Sequence, residues 1–330
     1  MSSINPQTIL ELARNFMESR ILLTGAELNL FTLLTSGPLS AEEVASRTGA
    51  DLRALTIVLD ALAAMELLLK REGKYSCPPA ISALLSKDSP ESVLPMVHHM
   101  AHVWQRWSKL TDRVRGRGEK GKDSAVHEAG EISAFIGAMH AIAAKLAPGI
   151  VASVGAGKAR NLLDVGGASG TYTLAFLQAV PEMRATLFDR PEVVEMARKR
   201  LQEAGVLSRT TLVGGDFYRD DFPGGHDLAF VSAIIHQNSP QQNLDLYRKI
   251  FRALVPGGRI VIRDHIMNPD RTRPRDGAIF AVNMLAATAG GNTYTYEEIQ
   301  SDLAQAGFVQ IRLLQKGERM DGLAEGFKPL

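Results

Sequence analysis

Asn161-Leu162-Leu163-Asp164-Val165-Gly166-Gly167-Ala168-Ser169-Gly170 is the stretch whose reading decides the fold. Its first five residues form a short apolar run holding one acid, and glycines then take over, as where a buried parallel strand enters a turn. Leu174, Phe176, Leu177 and Val180 recur at helical spacing until Pro181, and Ala185-Thr186-Leu187-Phe188-Asp189 is a second apolar run with an acid at its tip. Strand, glycine turn, helix and strand make one βαβ half-unit. A glycine lets backbone approach a ligand where a Cβ would block it, and a helix start offers free N–H groups to an anion. An acid ending the second strand, 23 residues after Gly166, stands where a ribose hydroxyl pair is held. The bland alternative is a glycine turn that binds nothing.

Two nucleoside-type ligands compete for this turn. A dinucleotide fingerprint needs Gly-x-Gly-x-x-Gly, and with Gly166 as its first glycine Ala168 occupies the second required position. The pattern Asp164-x-Gly166-x-x-x-Gly170 instead resembles motif I of the S-adenosylmethionine-dependent methyltransferases.

Downstream, strands are expected at Arg209–Val213, His226–Ser232, Arg259–Asp264, Val309–Leu314 and Gly322–Phe327. Helices are expected between them, one over 240–254 and one opened by a Thr295/Glu298 capping box. Alternating β and α predicts an α/β fold with a parallel, doubly wound, Rossmann-like sheet. In such a sheet ligands bind beyond the carboxyl ends of the strands, so Gly166, Asp189, Asp216, His236 and Asp264 should share one edge and one site.

Upstream, Ile9, Leu12, Ala13, Phe16 and Leu23 lie on one stripe of a helix expected over residues 7–23. Further helices follow around Leu30-Phe31, after Ser40 with its Glu43 partner, and after Asp51, and a β-ribbon folds around Glu72-Gly73. Three helices and a ribbon predict a winged helix. The outward face of its last helix offers Arg53, Thr56, Ile57, Asp60 and Ala61, too few cations and amides to read DNA. A subunit interface is the better use of this region.

Residues 93–154 read as mostly helical. A basic run, Arg113, Arg115, Arg117, Lys120 and Lys122, interrupts them and reads as a solvated linker. Met96, Met100, Trp104, Trp107, Phe135 and Met139 suit either a pocket for a flat aromatic ligand or ordinary helix-bundle core. The nearby histidines lack metal-ligand spacing, so no metal is expected.

Composition sets the outer bounds. With 330 residues, 45% of them apolar, and 37 basic against 36 acidic side chains, the chain can bury a large core and has no field to attract nucleic acid or an anionic membrane. A single cysteine cannot form an internal disulfide, and no apolar run approaches the roughly 18 residues of a membrane span. The expected setting is the cytoplasm. The expected division is 1–95, 96–154 and 155–330, for dimerisation, acceptor-pocket cover and cofactor binding.

Taken together, Leu162 to Gly170, Phe188-Asp189-x-Pro191, Gly215-Asp216-Phe217, His236 and Pro256-Gly257-Gly258-Arg259 resemble the plant and bacterial small-molecule O-methyltransferases, such as the caffeic acid and hydroxyindole enzymes. The resemblance spans nearly the whole chain, because Leu30-Phe31-x-x-Leu34 and Tyr75 fit that family's winged-helix dimerisation domain. It implies a homodimer and S-adenosyl-L-methionine as cofactor. Gly166 would line its methionine end, Asp189 hold the ribose, and Asp216 and Phe217 flank the adenine. Ser232 falls where many relatives carry a cofactor-contacting lysine. The resemblance makes His236 the general base, Asp264 the acid that orients it, and Phe135, Met139 and Met284 part of the acceptor pocket. Imidazole titrates near about 6.5 and a phenol near about 10, so proton transfer should accompany attack on the methyl group. Three positions depart from the pattern: Gln237-Asn238 stand for Asp-Trp after the base, and Thr293 stands for a second histidine-orienting glutamate. Those departures leave room for carbon or nitrogen methylation, or for a non-methyl reaction. A winged-helix regulator sensing a nucleoside is the non-enzymatic alternative.

Overall fold

The computed structural model describes residues 4–117 and 129–330, apart from the side chains of residues 129–135, 138, 141 and 142. The chain divides into two compact units, the first ending at Trp104 and the second beginning at Gln105.

The first unit is mainly helical. α1 (Pro6–Arg14) is capped by Asn5, whose side chain accepts from the Thr8 N–H, and α2 (Phe16–Glu27) follows a break at Asn15. The apolar stripe predicts one uninterrupted helix there. Asn15 keeps right-handed helical backbone and its N–H still bonds the Glu11 carbonyl, but its side chain makes no cap bond to α2. α3 (Leu30–Leu33) begins after Asn29 in the left-handed region, and β1 (Leu39–Ser40) leads into α4 (Ala41–Thr48), which opens on the Ser40/Glu43 capping box. α5 (Leu52–Ala64) is capped by Asp51, and β2 (Leu69–Arg71) and β3 (Lys74–Ser76) complete a three-stranded antiparallel sheet in the order β1-β3-β2. Asp60 on α5 accepts from Tyr75 Oη at 2.7 Å and Lys70 Nζ at 2.5 Å, tying that helix to the ribbon. α6 (Pro79–Leu85) and α7 (Leu94–Trp107) finish this part of the chain. Leu30, Phe31, Leu34, Val44, Leu59 and Leu62 form its core, whereas α1 buries nothing within one chain.

In the second unit α8 (Leu110–Val114) and the long α9 (Ala129–Val154) precede the sheet. Its parallel part is β4 (Asn161–Val165), β5 (Arg184–Asp189), β6 (Thr210–Gly214), β7 (His226–Ser232) and β8 (Leu254–Asp264). Between them run α10 (Thr171–Ala179), α11 (Pro191–Glu203) and α12 (Pro240–Ala253). β9 (Ile266–Met267), α13 (Arg275–Ala287), β10 (Tyr294–Thr295) and α14 (Tyr296–Gln305) lead to β11 (Val309–Gln315) and β12 (Gly322–Phe327). The strand order is β11-β12-β8-β7-β4-β5-β6. The all-parallel expectation fails at one strand, since β12 runs antiparallel to both β8 and β11. The connection from β11 to β12 is too short for a crossover helix, so the chain returns as a hairpin and slots β12 in beside β8.

Side-chain alternation along the strands builds a core on each face. Leu163, Val165, Ala229, Val231, Ile260 and Ile262 face α12 and α14, whereas Leu162, Leu228, Phe230 and Val261 face α9, α10 and α11. The parallel strands present their carboxyl ends at one edge, and the turns leaving that edge carry the residues described next.

Candidate active site

The glycine turn after β4 is shaped by what side chains would hit. A Cβ on Gly166, whose φ is +66°, would stand 2.5 Å from Ile234 Cδ1, and one on Gly167 would stand 2.6 Å from Leu187 Cγ. Gly170, at φ +77°, begins α10 without a side-chain cap. Asp189 closes the turn from the next strand: Oδ2 accepts from the Ala168 N–H at 2.8 Å and Oδ1 from the Arg190 N–H at 2.7 Å. Burial pushes the Asp189 carboxyl up, against the pull of those two amides. Each carboxylate oxygen has capacity for a further donor. Beneath the turn, buried Asp164 accepts from Thr173 Oγ1 at 2.6 Å, and desolvation pushes it up to about 6.

At the end of β6 the turn is equally tight, with a Cβ on Gly215 only 2.5 Å from Phe188 Cζ. Asp216 Oδ1 accepts from the Tyr218 N–H, the Asp216 N–H donates to Asp220 Oδ2, and Phe217 lies against the core. These contacts are local to the β6 turn.

His236 sits in a single 3-10 turn, Ile235–Gln237, just beyond β7, and is 9% exposed. Its Nδ1 lies 2.9 Å from each carboxylate oxygen of fully buried Asp264, and Asp264 Oδ1 also accepts from the His265 N–H at 2.8 Å. Burial alone would raise the Asp264 carboxyl, but the imidazole and the His265 amide outweigh it and hold the group below its ordinary range. Phe280 of α13 meets the His236 ring edge-on at 4.8 Å. Of the departures noted in the sequence, Asn238 has a structural task. It is fully buried, accepts from Tyr218 Oη at 2.7 Å, donates to Asn243 Oδ1 at 2.9 Å, and takes the Tyr294 hydroxyl on its carbonyl. That network fixes the turn carrying His236. Thr293 is buried and its hydroxyl donates to the Gly277 carbonyl.

The remaining sequence candidates are more scattered. Ser232, the last residue of β7, accepts from Arg263 Nη1 at 3.0 Å. Met284 is buried on α13, the helix that carries Phe280 one turn earlier. Met139 is half-buried on α9 beside His140, whose Nδ1 is 2.8 Å from Thr171 Oγ1. The side chain of Phe135, with Lys120 and Lys122 of the basic run, lies outside the described residues. No cluster of metal-ligating side chains exists among the described residues. Sequence reasoning passes over Phe280, though it stands four before Met284 and so on the same helix face. It also passes over Arg263, whose signal is a cation inside Ile260-Val261-Ile262-Arg263.

Comparison with known proteins meets this geometry. Residues 123–309 match the family model of the O-methyltransferase domain, and residues 10–87 match that of the O-methyltransferase dimerisation domain. The tetracenomycin polyketide synthesis 8-O-methyl transferase TcmO of Streptomyces glaucescens is 31% identical over 98% of this chain and 97% of its own. The 3-hydroxy-5-methyl-1-naphthoate 3-O-methyltransferase of Streptomyces sahachiroi is 28% identical over 94% of this chain and 91% of its own. Among solved structures, PigF with SAH superposes at a TM-score of 0.88 with 26% identity, covering 98% of this chain and 100% of that one. The match of both domain models along one chain, with a relative 31% identical over nearly its whole length, gives the assignment: the chain belongs to the O-methyltransferase family.

Proposed function

We propose that this protein transfers a methyl group from S-adenosylmethionine to a hydroxyl of a small aromatic acceptor, with His236 as general base. The donor supplies an electrophilic methyl carbon on a sulfonium. Its fit to these residues rests on the bare backbone of the Gly166-Gly167 turn, where a Cβ would meet Ile234 and Leu187, and on Asp189, which keeps acceptor capacity at both oxygens. Asp189 accepts the ribose hydroxyls, and Asp216 and Phe217 border the adenine.

The observation that carries the reading is the buried His236–Asp264 pair. A carboxylate on Nδ1 fixes the tautomer that carries hydrogen there, so Nε2 presents its lone pair to an acceptor hydroxyl. As the hydroxyl oxygen attacks the methyl carbon, the carbon–sulfur bond would break with its electron pair left on sulfur as a neutral thioether, the hydroxyl proton would pass to Nε2, and Asp264 would stabilise the resulting imidazolium. Asn238 and its hydrogen-bonded neighbours keep the ring in place. Apolar Phe280 shields one edge of the ring from water. Met139 and Met284 line the aromatic acceptor, since thioethers pack on ring faces. The exposed apolar side chains of α1 and α2, Ile9, Leu10, Leu12, Phe16 and Met17, are covered by a second copy in a homodimer.

The test is His236→Ala assayed with a panel of phenols, indoles and quinols and a labelled donor. Loss of turnover by at least about 10²-fold, with donor affinity retained, is expected for removal of a general base. Unchanged turnover removes His236 from the mechanism, and a methyl group found on carbon or nitrogen rather than oxygen overturns the acceptor assignment.

A further inference from the structure

Arg263, the next-to-last residue of β8, is a buried cation with no anionic partner among the described residues. It is 7% exposed, and its side chain's one hydrogen bond among those residues runs from Nη1 to Ser232 Oγ at 3.0 Å. Its Nε is buried and meets no acceptor there. The guanidinium carbon lies 5.2 Å from the centre of the Tyr172 ring, whose hydroxyl is buried beside Ser232. A guanidinium stays charged at every accessible pH, and burying one without an anion is costly. Stacking on tyrosine and one bond to a neutral hydroxyl offset little of that.

The surroundings say which anion is wanted. Tyr172 is in the first turn of α10, which begins at Gly170 with neither a side-chain cap nor an acid, so its N-terminus also favours negative charge. That turn continues directly from the glycine cradle. His236 and Asp264 are elsewhere: Asp264 follows Arg263 in the strand, so the two side chains point to opposite faces of the sheet. The anion therefore belongs with the methyl donor and not with the acceptor at the imidazole.

We propose that Arg263, seated by Ser232 and stacked on Tyr172, receives the α-carboxylate of the donor's amino-acid tail. Ser232 then acts as a positioning residue for the cation. A charge expected at position 232 from the resemblance is supplied from position 263 on the neighbouring strand, its register partner. The inference rests on the donor assignment made above.

Calorimetry on the full-length protein tests it, with S-adenosylhomocysteine and its decarboxylated analogue, which keeps the amine and thioether. The wild type should prefer the carboxylate-bearing ligand by roughly 10- to 100-fold, the range for a charge-assisted pair. In Arg263→Met that preference should collapse to within about 3-fold while affinity for the decarboxylated ligand holds. Arg263→Lys, keeping the charge on a shorter arm, should retain part of it. Should R263M fail to fold, Arg263→Gln, with donors but no charge, should show the same collapse. A preference that survives in R263M or R263Q, or an equal loss for both ligands, overturns the inference. Absence of wild-type binding to either ligand overturns the donor assignment and this inference with it.

Discussion

Replacing Asp264 with asparagine exchanges one carboxylate oxygen for an NH2 in the pair that holds the base, and the structure sets how much that should cost. Asp264 is fully buried, and its two oxygens stand equally, 2.9 Å each, from His236 Nδ1. Oδ1 is already committed to the His265 N–H. In Asp264→Asn the new amide would keep its oxygen on that N–H and put its NH2 at the other position, so that oxygen and NH2 both face Nδ1. An NH2 facing Nδ1 either repels the ring hydrogen or drives it to Nε2, where the base can no longer accept a proton. Loss of the charge-assisted bond alone is about 1.5–3 kcal/mol. At roughly 1.4 kcal/mol per tenfold in rate, that is a fall of about 10- to 150-fold, and the tautomer conflict adds to it. We expect kcat to drop by at least about 10²-fold. Donor affinity should change less than about 3-fold, because among the described residues the carboxylate hydrogen-bonds to the ring and one backbone amide. Initial rates at saturating donor and acceptor measure the first quantity, and calorimetry with S-adenosylhomocysteine the second. A kcat within about 5-fold of the wild type would refute the role given to Asp264.

Two further substitutions probe the frame around the site. In Gly291→Ala the new Cβ would stand 2.5 Å from the His236 carbonyl oxygen and 3.0 Å from that of Gln237, so the backbone turn carrying the base must move. A displacement of even 1 Å can cost about 10²-fold, so kcat should fall much further than donor affinity, and equal losses in both would count against a local effect. Asp164→Asn tests the buried carboxyl. Because burial raises Asp164 from 3.8 to about 6, the folded state binds its proton more tightly than the unfolded state. Stability attached to this group is therefore fully present below about pH 4, declines as pH rises to about 6, and is level above that. The whole change amounts to roughly 3 kcal/mol. Urea unfolding across pH 4–7 should give a wild-type minus D164N difference that shrinks over this window, and a flat difference would show that the carboxyl titrates normally.

The parts of this architecture legible in the sequence are those set by local rules. Capping boxes at Ser40 and Thr295, the glycine turn after Val165 and the strand pattern of residues 226–232 depend on neighbours in the chain, and each sits where its spacing requires. What is not legible depends on partners far apart. The reversal of β12 follows from a short hairpin that happens to fall beside β8. Asn238 reads as a departure from a family pattern, yet its use emerges only when Tyr218 and Tyr294 arrive from distant segments to join nearby Asn243.

The end of β8 joins both kinds of information. Along Ile260-Val261-Ile262-Arg263-Asp264, alternation sends Ile260 and Ile262 to one core and Val261 to the other, so Asp264 continues the first series and Arg263 the second. One strand thereby delivers an anion to the imidazole on one face and a cation to the first turn of α10 on the other. Opposite charges on adjacent residues of a buried strand would be expected to pair if they shared a face. Here the pleat separates them, and each is left to find a partner from another element: the imidazole for Asp264, and Ser232 with the Tyr172 ring for Arg263. A slip of one residue in the β7–β8 register would exchange the two charges and set a guanidinium beside the base. The pairing of Ser232 with Arg263 thus matters to both halves of the proposed reaction, because the register that seats the cation also keeps the carboxylate on the face of His236.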